Sequence, residues 1–266
     1  MRSLVLCVLV ISLGAGGPAR ADSSTTTRHL LAGVQAFQNG AYEEALVELR
    51  VVARAADAPA DLAFYLGPTL YKLGRYREAL AVFLGSSAAP DELTTLYVGE
   101  TYYQLGLYRK ARVVFAGLHA RGLGPVIDEA AVRYVAAIDL AYREPPTAQA
   151  IDAYIAQARD AARDLAVSAE ILEEARAVEA LATARHRHDE IAIALATTWN
   201  AIGRAKDTIG MLGAKAALPV EGTWQLARAY RATGDDAHAR PLLQKLVTGG
   251  GERARDAAAL LAPPSP

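Results

Sequence analysis

Three stretches decide the fold: AFQNGAYEEAL at 36–46, TLYKLGRYREAL at 69–80 and TYYQLGLYRKAR at 101–112. They align without a gap around a glycine, and those glycines, Gly40, Gly74 and Gly106, lie 34 and 32 residues apart. The agreement spreads outward from them. Seven residues before each stands another glycine, Gly33, Gly67 and Gly99, and two after it a tyrosine, Tyr42, Tyr76 and Tyr108. Five after it comes an alanine, Ala45, Ala79 and Ala111, and nine after it a large apolar residue, Leu49, Phe83 and Phe115. Self-similarity at such a period is the mark of a stacked-repeat architecture.

Each position has a physical reason. The turn glycine can take the positive φ that closes a helix. Small residues on either side of the turn let two antiparallel helices approach closely. The tyrosine and the large apolar residue fill the space between one helix pair and the next. A single pair cannot cover its own apolar faces, so stacking is obligatory.

Over residues 26–119 the pattern resembles the tetratricopeptide repeat family. The resemblance implies an all-α chain, a right-handed α-solenoid of antiparallel helix pairs whose first helices line a concave groove. The inward-facing residues are then those ten, six and three before each turn glycine. In the first repeat these are Leu30, Val34 and Phe37, in the second Phe64, Pro68 and Tyr71, in the third Leu96, Glu100 and Tyr103, and in the last Trp224, Arg228 and Arg231. Aromatics and arginine are the residue types that most often carry interface energy. Such a groove suits an extended peptide or an amphipathic helix, and its two arginines suit a carboxylate. The competing expectation is that these side chains pack on a neighbouring repeat. The lysine and asparagine clamp of some relatives is not visible.

The repeat fades towards the C-terminus. TWQLARAYRATGDDAHARPLL at 223–243 keeps Gly234, Ala227, Ala239 and Leu243, with Asp236 in the tyrosine's place. TTWNAIGRAKDTIGML at 197–212 keeps Gly203, Ala196 and Leu212, but Ala205 and Thr208 depart from the pattern. From Gly106 to Gly203 is 97 residues, about three periods, which leaves room for two degenerate repeats. Helical runs are expected near 126–143, 147–163 and 168–185, the first two separated by Pro145-Pro146. Three is an odd number, so their pairing stays open. Pro68 predicts a kink in its helix, and Ser23 to Thr27 a polar lead-in with the first helix cap. Gly249 to Gly251 reads as a break before a capping helix, ERARDAAALLA at 252–262, and a proline-rich tail. The expected division is a leader at 1–21, clear repeats at 22–122, degenerate ones at 123–187, C-terminal repeats at 188–248 and a cap with its tail at 249–266.

The leader reading rests on Arg2, the apolar run Leu4–Leu13, the breakers Gly14, Gly16, Gly17 and Pro18, and the small residues of Ala19-Arg20-Ala21. Cleavage is expected after Ala21, and export to the periplasm or beyond. The run is shorter than the roughly 20 residues that span a bilayer. Cys7, the only cysteine, lies within it, so the mature chain would carry no disulfide, thiol nucleophile or cysteine metal site. The alanine- and arginine-rich usage suits a bacterium with a GC-rich genome.

Of the 266 residues, 52% are hydrophobic, which argues against disorder. Lys and Arg number 28 against 29 Asp and Glu, interspersed, so neither a nucleic-acid footprint nor a basic membrane-surface helix is expected. No later apolar run is long enough to span a membrane.

Candidate chemistry is sparse. His186 and His188 are two apart and do not share a helix face; they read as a solvated loop pair, because no ligand cluster completes a metal site. The triple glycine lacks the residues of a phosphate-binding loop, and no serine sits in a nucleophile elbow. Glu43-Glu44 and Glu173-Glu174 read as solvated helix faces, not acid/base dyads. Tyr76 and Tyr108 read as core. The expectation is no catalytic residue, no cofactor and no metal. The function expected is that of a protein- or peptide-binding scaffold of the cell envelope. The alternatives are a helical accessory domain with a small-molecule pocket near 120–190, or a self-assembling structural protein.

Overall fold

A computed structural model describes residues 20–182 and 187–262, which form fourteen α-helices and no strand. The chain opens with three hairpins: α1 (Arg20–Gln38) with α2 (Tyr42–Ala53), α3 (Ala63–Lys72) with α4 (Tyr76–Gly85), and α5 (Glu92–Gln104) with α6 (Tyr108–Ala120). They are closed by Gly40, Gly74 and Gly106 at φ 78°, 70° and 74°. A residue with a Cβ is disfavoured there.

The glycine seven before each turn meets the large residue nine after it, as two antiparallel helices require. A Cβ on Gly33 would lie 2.8 Å from Leu49 Cγ, one on Gly67 2.1 Å from Phe83 Cε1, and one on Gly99 2.8 Å from Phe115 Cε1. The ring of one helix therefore lies against the bare backbone of the other. We expect Gly67→Ala to destabilise by about 1–3 kcal/mol through overpacking. Gly117, helical on α6 with nothing within 4 Å of its would-be Cβ, should behave oppositely, and Gly117→Ala should stabilise by roughly 0.5–1 kcal/mol. Urea midpoints for the two variants moving the same way would contradict this packing.

Next comes α7 (Pro125–Ala141), which packs on α6 and α5. No second helix follows to pair with it. Instead α8 (Ala148–Asp160) pairs with α9 (Leu165–Glu179). Thr147 and Asp164 cap these two helices by accepting from the backbone N–H groups of Ala150 and Val167. This hairpin does not extend the stack over α7. It folds back onto the turn of the third hairpin, where the Tyr154 hydroxyl donates to the Gly106 carbonyl (2.6 Å) and the Gln157 amide to that of Leu105 (3.2 Å). The helix left unpaired by the sequence is thus α7.

Two more hairpins follow, α10 (His188–Ala201) with α11 (Ala205–Leu212) and α12 (Val220–Ala232) with α13 (Asp236–Gly249), and α14 (Ala254–Leu261) packs on α13. Gly203 and Gly234 close them at φ 80° and 79°. Each half of the chain is three hairpins and a closing helix. A single apolar cluster joins the halves, running from Leu80, Leu107, Phe115 and Ile138 through Ile171 and Leu172 to Leu195, Trp199 and Leu212.

One sequence expectation is corrected. Ser23 to Thr27 is no lead-in: α1 already begins at Arg20, and Thr26 donates to Asp57 (2.9 Å), tying this turn to the chain beyond α2. Helix α3 runs through Pro68 and buries it. The leader's apolar run and the proline tail at 263–266 lie outside the described residues; the Ala21–Asp22 junction falls in the first turn of α1.

Candidate inner-face binding site

Helices α1, α3, α5 and α7 stand side by side as the first members of successive repeats. Leu30, Val34, Phe37, Phe64, Tyr71, Leu96, Glu100 and Tyr103 are all half-buried, neither sealed in the core nor free. Pro68 is buried among them.

Tyrosines link the helices. Tyr71 meets Tyr97 at 5.3 Å between centroids and Tyr76 at 5.5 Å. Tyr103 meets Tyr134 of α7 at 4.9 Å and Tyr108 at 5.3 Å. The Tyr71–Tyr97 and Tyr103–Tyr134 contacts are edge-on, a favoured aromatic geometry, and the other two are tilted. Tyr76 and Tyr108 pack against the core, as expected. Tyr71 and Tyr103 each pack on a neighbouring helix and stay half-buried.

Glu100 is the polar centre of the strip. It accepts from the Tyr134 hydroxyl (3.3 Å). Burial pushes its carboxyl above the usual range, outweighing the neighbouring Tyr71 and Tyr134 hydroxyls and the Lys72 charge. Burial, then the Glu100 charge, pushes the Tyr134 hydroxyl up to about 12 and raises that of Tyr71 as well. The Lys72 ammonium lies 5.4 Å from the Tyr97 centroid and 5.9 Å from that of Tyr71.

Sequence reasoning missed Tyr134, Tyr97 and Lys72. Counting back from a turn glycine could not reach Tyr134, because α7 precedes no such turn. It lies 34 residues after Glu100, however, and counting by the period would have found it.

The C-terminal candidates differ. Trp224 does not line a groove. It is 8% exposed, packed with Ala227, Leu243, Leu246 and Ala257 where α14 closes the array. The Arg228 and Arg253 guanidinium groups lie 6.0 and 5.5 Å from its ring. Arg231 pairs with Asp236 at 2.5 Å, so each arginine already has a partner. A cleft of about 330 Å³ lies nearby, lined by Leu218, Leu226, Tyr230, His238, Leu242 and Lys245. It is outside the 120–190 stretch where a pocket was anticipated.

The second correction concerns Glu173-Glu174. Neither is a solvated face, because α9 is pressed against α4 and α6. Lys110 of α6 reaches Glu170 and Glu173, both at 2.6 Å. Glu173 also accepts from the Trp199 indole (3.0 Å) and from Arg204 (2.7 Å). Burial alone would raise its carboxyl, but Lys110, Trp199 and Arg204 prevail and hold it below the usual range. Glu174, 1% exposed, accepts from the Arg109 backbone N–H (3.0 Å) and the Tyr142 hydroxyl (2.7 Å). Its other oxygen has no partner, and burial raises its carboxyl. These groups fasten the two halves together. His188 opens α10 with its Nδ1 3.1 Å from the buried Glu179, so it is not a solvated loop residue; His186 lies outside the described residues.

The first three hairpins stand where the resemblance to tetratricopeptide repeats implied them. No family model matches the chain, and no curated protein matches it. Among solved structures it is similar to the TPR domain of P58(IPK), at 13% identity over 90% of this chain, with a TM-score of 0.37. It spans 66% of that domain, just under two thirds. It is also similar to the TPR2AB domain of yeast Sti1 in its pHSP90 complex (14% identity, 90% of this chain and 97% of that one, TM-score 0.37). A third is a kinesin light chain of Podospora anserina with TPR-like repeats (16% identity, 91% and 98%, TM-score 0.33). No helix among the described residues is long and apolar enough to cross a membrane.

Proposed function

We propose that the protein is a non-enzymatic interaction scaffold, holding a peptide or helix of a partner protein along the inner face of α1, α3, α5 and α7. The observation that carries this reading is the strip from Leu30 and Phe37 through Phe64 to Leu96 and Tyr103. It is apolar and aromatic, it recurs on successive helices, and all of these residues are half-buried rather than sealed in the core. Half-exposed aromatics on a rigid frame lose little conformational entropy on binding and bury much area. The leader read from the sequence at 1–21 supports a location in the cell envelope, where an adaptor for assembly or secretion would act.

The test is selection of random twelve-residue peptides, displayed on phage, on the purified protein. Enriched peptides should bind Phe37→Ser and Phe64→Ser about tenfold more weakly. They should bind Val113→Ser, at a residue 73% exposed on α6, as they bind the unaltered protein. Failure to enrich any sequence, or equal binding by all three variants, would count against the inner face. Export has its own readout: N-terminal sequencing of protein recovered from the periplasm should begin at Asp22.

A further inference from the structure

The inner strip holds one carboxylate among residues that are otherwise apolar or aromatic, and that carboxylate has no counter-ion. Glu100 is half-buried, and no cation of the described residues stands within ion-pair distance of it. A carboxylate in such surroundings is disfavoured unless something compensates it, and an apolar residue would pack there at least as well. The fold nonetheless orients it from both sides. The Tyr134 hydroxyl donates to it from α7, and Tyr71 stands near it on α3. The Tyr71 ring packs on that of Tyr97, and the Tyr134 ring on that of Tyr103. Nearby, among the described residues, stands the ammonium of Lys72, an exposed residue whose flexible stem lays the charge over the Tyr97 and Tyr71 rings without an ion pair to Glu100.

We propose that Glu100 and its tyrosines form a seat for one basic side chain of the bound peptide, arginine fitting best, and that Lys72 occupies the edge of this seat until the partner displaces it. The proposal rests on the inner-face reading above and gives that partner its chemistry: a segment with apolar residues towards α1 and a cation opposite α5. An arginine meets both halves of the seat. Its planar guanidinium stacks on a tyrosine ring while its N–H groups fork onto the carboxylate. The hydroxyls of Tyr71 and Tyr134 stay where they are, so the anion needs no rearrangement to receive it.

The experiment starts from the peptides selected on phage. Under the proposal they share a basic residue at one register position. The tightest is synthesised in two forms, with arginine or with its uncharged isostere citrulline at that position, and both are titrated by fluorescence anisotropy. The arginine form should bind about tenfold tighter. Glu100→Gln, which keeps an acceptor for the tyrosine hydroxyls, should erase the difference while leaving the citrulline form unaffected. Lys72→Gln should tighten the arginine form about threefold, since a competitor has been removed. Melting midpoints establish that both variants are folded. Selected peptides that bind the face without a shared basic residue, or a preference for arginine that survives Glu100→Gln, overturn this proposal and leave the scaffold reading standing. Unchanged affinity in Lys72→Gln overturns the role given to Lys72. Failure to select any peptide removes both readings together.

Discussion

Phe115→Ala is expected to lower stability by about 3–5 kcal/mol, a large share of the roughly 5–15 kcal/mol that holds a folded domain. The side chain is fully buried. One edge lies against Gly99, and one face stacks on Tyr134 at 4.4 Å with the planes 3° apart. Truncation removes the filler between α5, α6 and α7 at once. The space does not close easily, because Gly99 offers no side chain to move into it. Urea denaturation should show a lower midpoint with an unchanged slope, while Val113→Ala on the same helix, 73% exposed, stays within about 0.5 kcal/mol. The effect reaches the inner face. Tyr134 loses the ring that fixes it and with it the hold on Glu100, so peptide affinity should fall even at temperatures where the variant is folded. A loss below about 1 kcal/mol would mean that the repeat's large apolar position is not the filler described here.

What the sequence discloses and what it conceals follow from range. Gly40, Gly67 and Phe83 were legible because a local demand fixes them: a positive φ, a backbone approached by a ring, a ring at the matching distance. Those demands repeat with the period, so three copies confirm one another. The joint between the halves has no copy. Glu170, Glu173 and Glu174 occupy adjoining turns of a helix and look like any polar face, and Lys110, the partner of the first two, lies 63 residues before Glu173. Nothing local separates a glutamate facing water from one facing a distant lysine. Trp224 was misplaced for a related reason. Its position within the repeat is that of a groove residue, but it belongs to the last hairpin, where α14 covers it. Terminal repeats break the rule that interior ones obey. On the candidate face, the half-buried positions of α1, α3 and α5 could be counted from their turn glycines, and Tyr134 of α7 could not, because α7 has no turn glycine to count from.

That concealed joint carries the second large effect. Lys110→Met should destabilise the protein by about 2–3 kcal/mol near neutral pH. Lys110, Glu170 and Glu173 have side chains only 26%, 13% and 21% exposed, so the two carboxylates would be left close together with little water. The full penalty of a buried unpaired charge is avoided because Arg204 and the Trp199 indole remain on Glu173. The sign with pH is specific. In the unaltered protein Glu173 is held below the usual carboxylate range, so its contribution is present above the unfolded pKa and is lost as pH falls through the folded one. Burial would lower the Lys110 ammonium, but Glu170 and Glu173 raise it on balance. Its contribution is therefore present below the ordinary lysine value and is lost as pH rises through the folded one. The gap between the unaltered protein and Lys110→Met should form a plateau from roughly pH 5 to pH 10 and narrow at both ends. Urea midpoints at pH 4, 7 and 10.5 measure it, with Lys206→Met, an exposed residue without an ion pair, as the control for net charge. A gap that stays constant across these pH values, or one matched by the control, would show that Lys110 does not clamp α9 to α6 and that the halves are joined by apolar packing alone.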